Sequence, residues 1–302
     1  MSKRKIFITG ASGFIGRNLC EHFEKKYNLF SPTHDELDLL DTAKVENYIK
    51  DNNIEIIIHC ANRGGGRDTL NLNKVLETNL RIFFNIVRCS NCVNKIITFG
   101  SGAEYDKRNP IVRIKEEDFD GSVPGDEYGF YKYVCSKYIC NSSKIVCLRL
   151  FGVYGKYENY LFKFISNAIV KNIYKLPIEI VQNVYFDYLY ADDLVTIVDY
   201  FINRSTEHNI YNIGTGQKID LLSISKIINK ISRHKSEIII RNKNLNKEYT
   251  TDNSRLKNEL PNFKFTSIEK GIRLLYQWYL ENISSLDKDK IIKDPYINLI
   301  KI

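Results

Sequence analysis

Along its first 150 residues the chain alternates between two hydrophobic rhythms. Short, nearly unbroken apolar runs rich in Ile, Val and Phe occur at Lys5–Thr9, Asn28–Ser31, Ile54–Cys60, Lys95–Gly100 and Ile145–Phe151, the pattern of strands buried on both faces. Between them, helical periodicity covers Ile15–Lys26, Ala43–Asp51, Asn73–Cys89 and Tyr128–Asn141. Strands alternating with helices predict an α/β fold, a doubly wound parallel sheet with helices on both faces. After Phe151 the rhythm becomes irregular. A helix is expected over Leu161–Lys171, strand-like runs near Glu179–Phe186, Asn209–Ile213 and Ser236–Arg241, and helices near Leu221–Ser232 and Ser267–Leu280. This predicts a smaller α/β unit interleaved with the first: 1–155 plus about 184–214 form one unit, about 156–183 plus 215–302 the other. The Lys- and Asp-rich stretch from Asp287 onward reads as a solvated tail.

Composition narrows the classes. Of 302 residues, 43% are hydrophobic and 26% charged, ordinary globular usage that excludes wholesale disorder and collagen-like repeats. The net charge of +8 suits a phosphorylated ligand, but the basic residues are scattered and form no arm for nucleic acid. No apolar run approaches the ~18 residues that span a bilayer, and Met1–Lys5 leads straight into a strand without a signal-peptide core. A soluble cytoplasmic protein is expected. Seven cysteines all lie in the first half. Cys89-Ser90-Asn91-Cys92 is a C-x-x-C without a second pair at zinc spacing, so free thiols and no metal are expected.

The chemistry begins at the first strand end. Thr9-Gly10-Ala11-Ser12-Gly13-Phe14-Ile15-Gly16 places three glycines at three-residue spacing between a strand and a helix, giving a tight turn and close backbone approach to a phosphate. The helix amino terminus adds free N–H groups and the positive end of its dipole. Which dinucleotide binds depends on the second strand end. There Phe30-Ser31-Pro32-Thr33-His34 carries no carboxylate until Asp35, so Ser31, Thr33 and His34 are expected around a 2′-phosphate. NADP(H) is favoured and NAD(H) remains compatible.

Ser101 follows the strand at Lys95–Gly100, and Tyr128 and Lys132 lie four apart on a predicted helix, hence on one face. A phenol ordinarily titrates near ~10 and is a poor base at neutral pH, while an adjacent ammonium and a nicotinium charge favour its ionised form. Ser101 would then hold the substrate oxygen while Tyr128 exchanges a proton with it. Tyr133 and Lys137 share the spacing but sit about 140° around the helix. Tyr128, just after a Pro-Gly turn, fits the helix start better.

Taken together these motifs resemble the extended short-chain dehydrogenase/reductase family of sugar-nucleotide epimerases, dehydratases and reductases, whose cofactor domain is a Rossmann fold. The resemblance implies cofactor contacts at Gly10, Ser12, Gly13, Phe14, Ile15, Gly16, Ser31, His34, Asp38, Leu39, Cys60, Ala61, Asn79, Lys132, Leu150 and Val153. It implies Ser101, Tyr128 and Lys132 as catalytic residues and a homodimer formed through the helices at Asn73–Cys89 and Tyr128–Asn141. Leu148–Gly155, Phe186–Asp193 and Tyr211–Gly216 are similar to its later signatures. Asp35–Asp41 and Asn62–Gly66 look most like the branch that combines epimerisation with NADPH reduction of a 4-keto sugar. That branch's active-site cysteine falls on Ala103 and its histidine near Tyr160, so the epimerising groups are absent, and Gly102-Ala103 lacks the acidic pair of the dehydratases. Gly152 stands where an asparagine is usual and Phe186 where an arginine is usual. The resemblance therefore implies an NADP(H)-dependent keto-sugar-nucleotide reductase of surface-sugar biosynthesis. The alternatives are an NAD-dependent 4-epimerase and, further off, a non-catalytic dinucleotide-binding protein. Arg63, Ala103, Lys163 and Arg255 are expected on the substrate side.

Overall fold

A computed structural model describes residues 3–66, 69 and 72–298. Its strands are β1 (Lys5–Thr9), β2 (Asn28–Phe30), β3 (Ile56–His59), β4 (Lys95–Ser101), β5 (Ile111–Ile114), β6 (Ile145–Leu150), β7 (Gly152–Tyr154), β8 (Ile178–Gln182), β9 (Tyr185–Tyr190), β10 (Ile210–Ile213), β11 (Lys218–Asp220), β12 (Ile238–Asn242) and β13 (Tyr249–Thr251). Its α-helices are α1 (Phe14–Phe23), α2 (Thr42–Asp51), α3 (Val75–Val87), α4 (Glu127–Ile139), α5 (Phe164–Ile173), α6 (Ala191–Asn203), α7 (Leu221–Ile231), α8 (Ser254–Glu259), α9 (Ile268–Glu281), α10 (Lys288–Lys293) and α11 (Pro295–Asn298).

Six strands form one parallel sheet in the order β10-β6-β4-β3-β1-β2. Its strands are apolar on both faces because both faces are covered. Ile6, Ile8, Ile58 and Leu148 pack towards α1 and α6, whereas Phe7, Ile57 and Ile96 pack towards α2, α3 and α4. Because β1 lies between β2 and β3, chain order reverses beside it. The crevice at the carboxyl ends of β1 and β3 is where open α/β sheets bind ligands.

The remaining strands build a smaller unit. The order β11-β9-β13-β5, with β7 on β9, makes a mixed sheet, and β12 pairs with β8. A second core centred on Ile169, Ile180, Ile224, Ile272 and Leu275 lies there. Interleaving goes further than the expected segments. β5, from within 1–155, lies in this sheet, while Leu256, Leu260, Phe263 and Phe265, from within 215–302, pack on the first core.

Two expectations are corrected. The run near Glu179–Phe186 is two strands, β8 and β9, broken at Asn183-Val184. Nor is the segment after Asp287 a solvated tail over its described residues. Asp287 caps α10 by accepting from the Lys290 N–H, and Ile291, Tyr296 and Ile297 are buried in the second core. Asp294 pairs there with the buried Lys171 ammonium.

Candidate active site

The three glycines of the turn do different work. Gly10 has φ +65°, and a Cβ there would lie 2.7 Å from the Ala61 backbone. A Cβ on Gly16 would lie 2.2 Å from the Gly10 carbonyl oxygen. Both are glycine because the turn, α1 and the loop after β3 are in direct contact. Gly13 is not so constrained, with φ −79° and ψ 172°, open to any residue. It caps α1 without a side chain, and the nearest atom to an added Cβ is 3.3 Å away. This bare helix amino terminus, flanked by exposed Ser12 and half-buried Phe14 and Ile15, fits a pyrophosphate on geometric grounds.

Across the crevice, Thr9 Oγ1 and His59 Nδ1 lie 2.8 Å apart, and the Ala61 N–H donates to Thr9 Oγ1 at 3.1 Å. Burial, aided by the Lys132 charge, drives the His59 pKa down to about 3, so its ring is neutral. Cys60 is bound through its backbone to the Thr9 carbonyl. Asn79, buried on α3, secures the next loop with both ends of its amide. It accepts from the Arg63 N–H and donates to the Arg63 carbonyl, each at 2.8 Å.

The nucleotide end of the crevice is more open. Ser31 and His34 are exposed, and His34 lies 4.0 Å from Asp38. Asp38 accepts from the Leu40 N–H, and the Leu39 carbonyl accepts from Asn85. Thr33 does not present free donors. Its N–H and hydroxyl both donate to Glu36 Oε2, at 2.7 and 3.0 Å.

Ser101 is the last residue of β4, and the Lys132 ammonium donates to the Phe99 carbonyl, on the same strand, at 2.5 Å. The Lys132 nitrogen lies 6.0 Å from the centre of the Tyr128 ring. The Gly64-Gly65-Gly66 loop lies against that ring, since a Cβ on Gly65 would be 2.5 Å from its edge. The rival pair is directed elsewhere: Tyr133 and Lys137 both bind the exposed Asp120 carboxylate. Tyr131, between the two pairs, is buried and donates to Asn62.

Beneath Ser101 runs a buried network that sequence reading missed. Glu104 accepts from the Ser101 N–H at 2.8 Å, from Ser136 at 2.6 Å and from Arg149 at 2.5 Å. Arg149 also donates to the Tyr105 hydroxyl, which donates to Asn212. The network ties β4, α4, β6 and β10 together behind the Ser101 backbone. An arginine inside the apolar run Cys147–Leu150 was the available clue, because a buried cation requires a partner.

A cavity of about 590 Å³ opens between the two units, lined among others by Gly65, Val153, Glu158, Lys163, Phe186 and Tyr249. Its wall is aromatic. Tyr249 packs 5.3 Å from Phe151 and 5.8 Å from Phe186, and Phe186 packs 5.4 Å from Tyr188. A Cβ on Gly152 would lie 2.7 Å from the Asp187 carbonyl oxygen and 3.0 Å from the Tyr188 ring, so glycine in place of the usual asparagine lets β7 lie close against β9. Leu150, paired with Ser101 in the sheet, leads into this wall.

Among the substrate-side expectations, Lys163 lines the cavity and the others do not. Arg255 is bound to Glu116, Glu117 and the Ile210 carbonyl, so it is a structural cation. Ala103 is buried below α4, its carbonyl close to Gly129. Arg63 is an exposed loop residue held by its backbone. Sequence reading also missed Glu158, which is buried at the cavity wall and accepts from Ser166 at 2.6 Å.

A doubly wound sheet with a glycine turn at its switch point and a Ser, Tyr and Lys at the adjacent strand end defines the class of nicotinamide-dinucleotide enzymes with a Rossmann domain. Within it, residues 6–214 match the family described as the NAD dependent epimerase/dehydratase family, and the chain belongs to that family, an extended short-chain dehydrogenase/reductase acting on sugar nucleotides. It is 28% identical over 263 residues to the GDP-L-colitose synthase of Yersinia pseudotuberculosis, covering 78% of this chain and 84% of that protein. It is 24% identical over 326 residues to the GDP-L-fucose synthase of Escherichia coli, covering 93% and 98%. Its fold is similar to the GDP-mannoheptose C4 reductase of Campylobacter jejuni with NADP bound: TM-score 0.79, 22% identity, and coverage of 93% and 99%. Among the described residues no helix is long and apolar enough to cross a membrane, and all seven cysteines are free.

Proposed function

We propose that the protein is an NADP(H)-dependent reductase of a keto-sugar nucleotide. The observation that carries this reading is the anchoring of Lys132 to the Phe99 carbonyl, which brings the helix bearing Tyr128 to the strand end bearing Ser101. The dinucleotide, when bound, supplies the hydride. Ser101 donates a hydrogen bond to the carbonyl oxygen being reduced, and Tyr128 delivers a proton to that oxygen as it becomes a hydroxyl. Lys132 holds the first turns of α4 against the strand end of Ser101 through its bond to the Phe99 carbonyl. With Ala103 and Tyr160 in place of a cysteine and a histidine, the site keeps the reducing groups and lacks the epimerising pair. The aromatic wall suits the apolar face of a deoxy sugar, and Lys163 suits its diphosphate. The same reading includes a homodimer joined through α3 and α4.

A second reading, a 4-epimerase that retains NAD, is favoured by the Glu36 carboxylate on the Thr33 donors, where a 2′-phosphate would meet a like charge. The two separate on cofactor turnover. Identifying any co-purifying dinucleotide and then following the reduced-nicotinamide absorbance with a panel of 4-keto-sugar nucleotides, alongside product analysis with the corresponding 4-hydroxy sugar nucleotides, tests both. Net NADPH consumption supports the reductase; product without consumption supports the epimerase. In either case Tyr128→Phe should lower turnover by on the order of 10²-fold or more with dinucleotide binding kept. The same loss from Tyr133→Phe instead would place the chemistry on the other pair.

A further inference from the structure

Glu104 follows Ser101 at the Ser-x-x-Glu spacing of a capping box. The box closes on a short 3₁₀ turn over Gly102–Tyr105. Ser101 Oγ accepts from the Ala103 N–H at 3.2 Å, and Glu104 Oε1 accepts from the Ser101 N–H at 2.8 Å. The amide and the hydroxyl oxygen of Ser101 are therefore both held by the turn that follows it.

A glutamate is almost never fully buried unless it is paired, and Glu104 is 0% exposed. Its second oxygen, Oε2, accepts from Ser136 Oγ at 2.6 Å and from Arg149 Nε at 2.5 Å. The strand makes room for it, since a Cβ on Gly100 would lie 2.5 Å from Glu104 Oε1 and 2.8 Å from the Arg149 side chain. Ser136 lies on α4 about one turn beyond Lys132. One carboxylate thus joins the strand end of Ser101 to the helix of Tyr128. The Lys132 bond to the Phe99 carbonyl is a first link between the same two elements; the Glu104 link is the one that includes Ser101 itself. For stability alone the arrangement gains little, because well-packed apolar residues often match or exceed a buried ion pair. Apolar side chains could fill the same volume but could not hold the Ser101 N–H.

We propose that Glu104 is a positioning residue: its buried carboxylate fixes Ser101 against α4 and so sets where the Ser101 hydroxyl meets the substrate carbonyl relative to Tyr128. The proposal rests on the reading of Ser101 and Tyr128 as the two groups on that oxygen.

Two variants cut the linkage. Glu104→Met/Arg149→Met removes the carboxylate together with its counter-charge, so that no buried charge is left alone. Ser136→Ala cuts only the tie to α4 and leaves the ion pair. The assay uses whichever member of a panel of GDP-, dTDP- and UDP-linked 4-keto-6-deoxyhexoses oxidises NADPH fastest with the unmodified protein. The double variant should lower kcat about tenfold or more and Ser136→Ala about threefold, with KM and the NADPH affinity by fluorescence titration kept within about twofold. In a Ser101→Ala background the same substitutions should each cost less than about twofold, because the hydroxyl they place is gone. A carboxylate that only stabilises the fold would lower Tm and give equal losses in both backgrounds, and that additivity would overturn the proposal. Should the double variant not fold, Ser136→Ala decides by the same criteria. If Ser101→Ala leaves kcat intact, or no member of the panel is reduced, the reading of the site fails and the proposal with it. Loss in Ser101→Ala without loss in either linkage variant removes Glu104 alone.

Discussion

Glu158 is a carboxyl group held against its preference. Burial raises its pKa to about 7 from an ordinary 4.5, opposed by the Lys163 charge and the Ser166 hydrogen bond. Its other titratable neighbours are the phenols Tyr154 and Tyr279, which feel its charge. The folded chain binds this proton more tightly than the unfolded chain, so ionisation opposes folding. The penalty is absent below pH 4.5, grows between 4.5 and 7, and is complete above 7. Glu158→Gln keeps an acceptor for Ser166 and removes the charge. It should stabilise the protein at pH 8, by up to about 3 kcal/mol, and leave it unchanged at pH 4.5. Melting temperatures at the two pH values check this; an equal effect at both would mean that the carboxyl is not the source.

At the scale of elements, the proposed reading puts the cofactor choice at the end of β2. Glu36 is an exposed side chain occupying both Thr33 donors, so a 2′-phosphate reaching them must displace a carboxylate. Glu36→Gln removes that repulsion without touching the core. NADP(H) affinity should rise roughly threefold to tenfold relative to NAD(H) at low salt, read by fluorescence titration. A change equal for both dinucleotides would show that the segment does not meet the 2′-phosphate. Elements also show which features sequence reading reaches. The strands from β1 to β6 that form the large sheet lie within apolar runs that alternate with the helical periods of α1 to α4, and that alternation made them legible within a few residues. β5, β7, β11 and β13 are three or four residues long and, unlike β2 and β3, lie outside the regular alternation of strand and helix, so nothing flanking them marks them out. α6 did carry the pattern, with Leu194, Val198 and Phe201 at helical spacing, but it was read only as a signature. The glycine turn and the Tyr128–Lys132 pair were legible because their geometry is local. Tyr249 and Glu158 were not, since strand pairing and chain folding alone bring them to the cavity.

For the whole molecule, the face formed by α3 and α4 bears on assembly. Tyr138 is exposed there and stacks edge-on with Phe83 and Phe84, centres 5.9 and 5.4 Å away. An exposed aromatic on a packed helix pair fits the proposed homodimer. Light scattering should give twice the mass of one chain, and Tyr138→Glu should shift it to that of a single chain; an unmoved mass would place any contact elsewhere.

Tyr296 lines the same cavity as Gly65 and Val153. During synthesis, therefore, the six-stranded sheet can close early, while this cavity lacks a wall until that late turn has left the ribosome. On the proposed function, captured nascent chains ending before it should retain dinucleotides yet discriminate poorly among sugars.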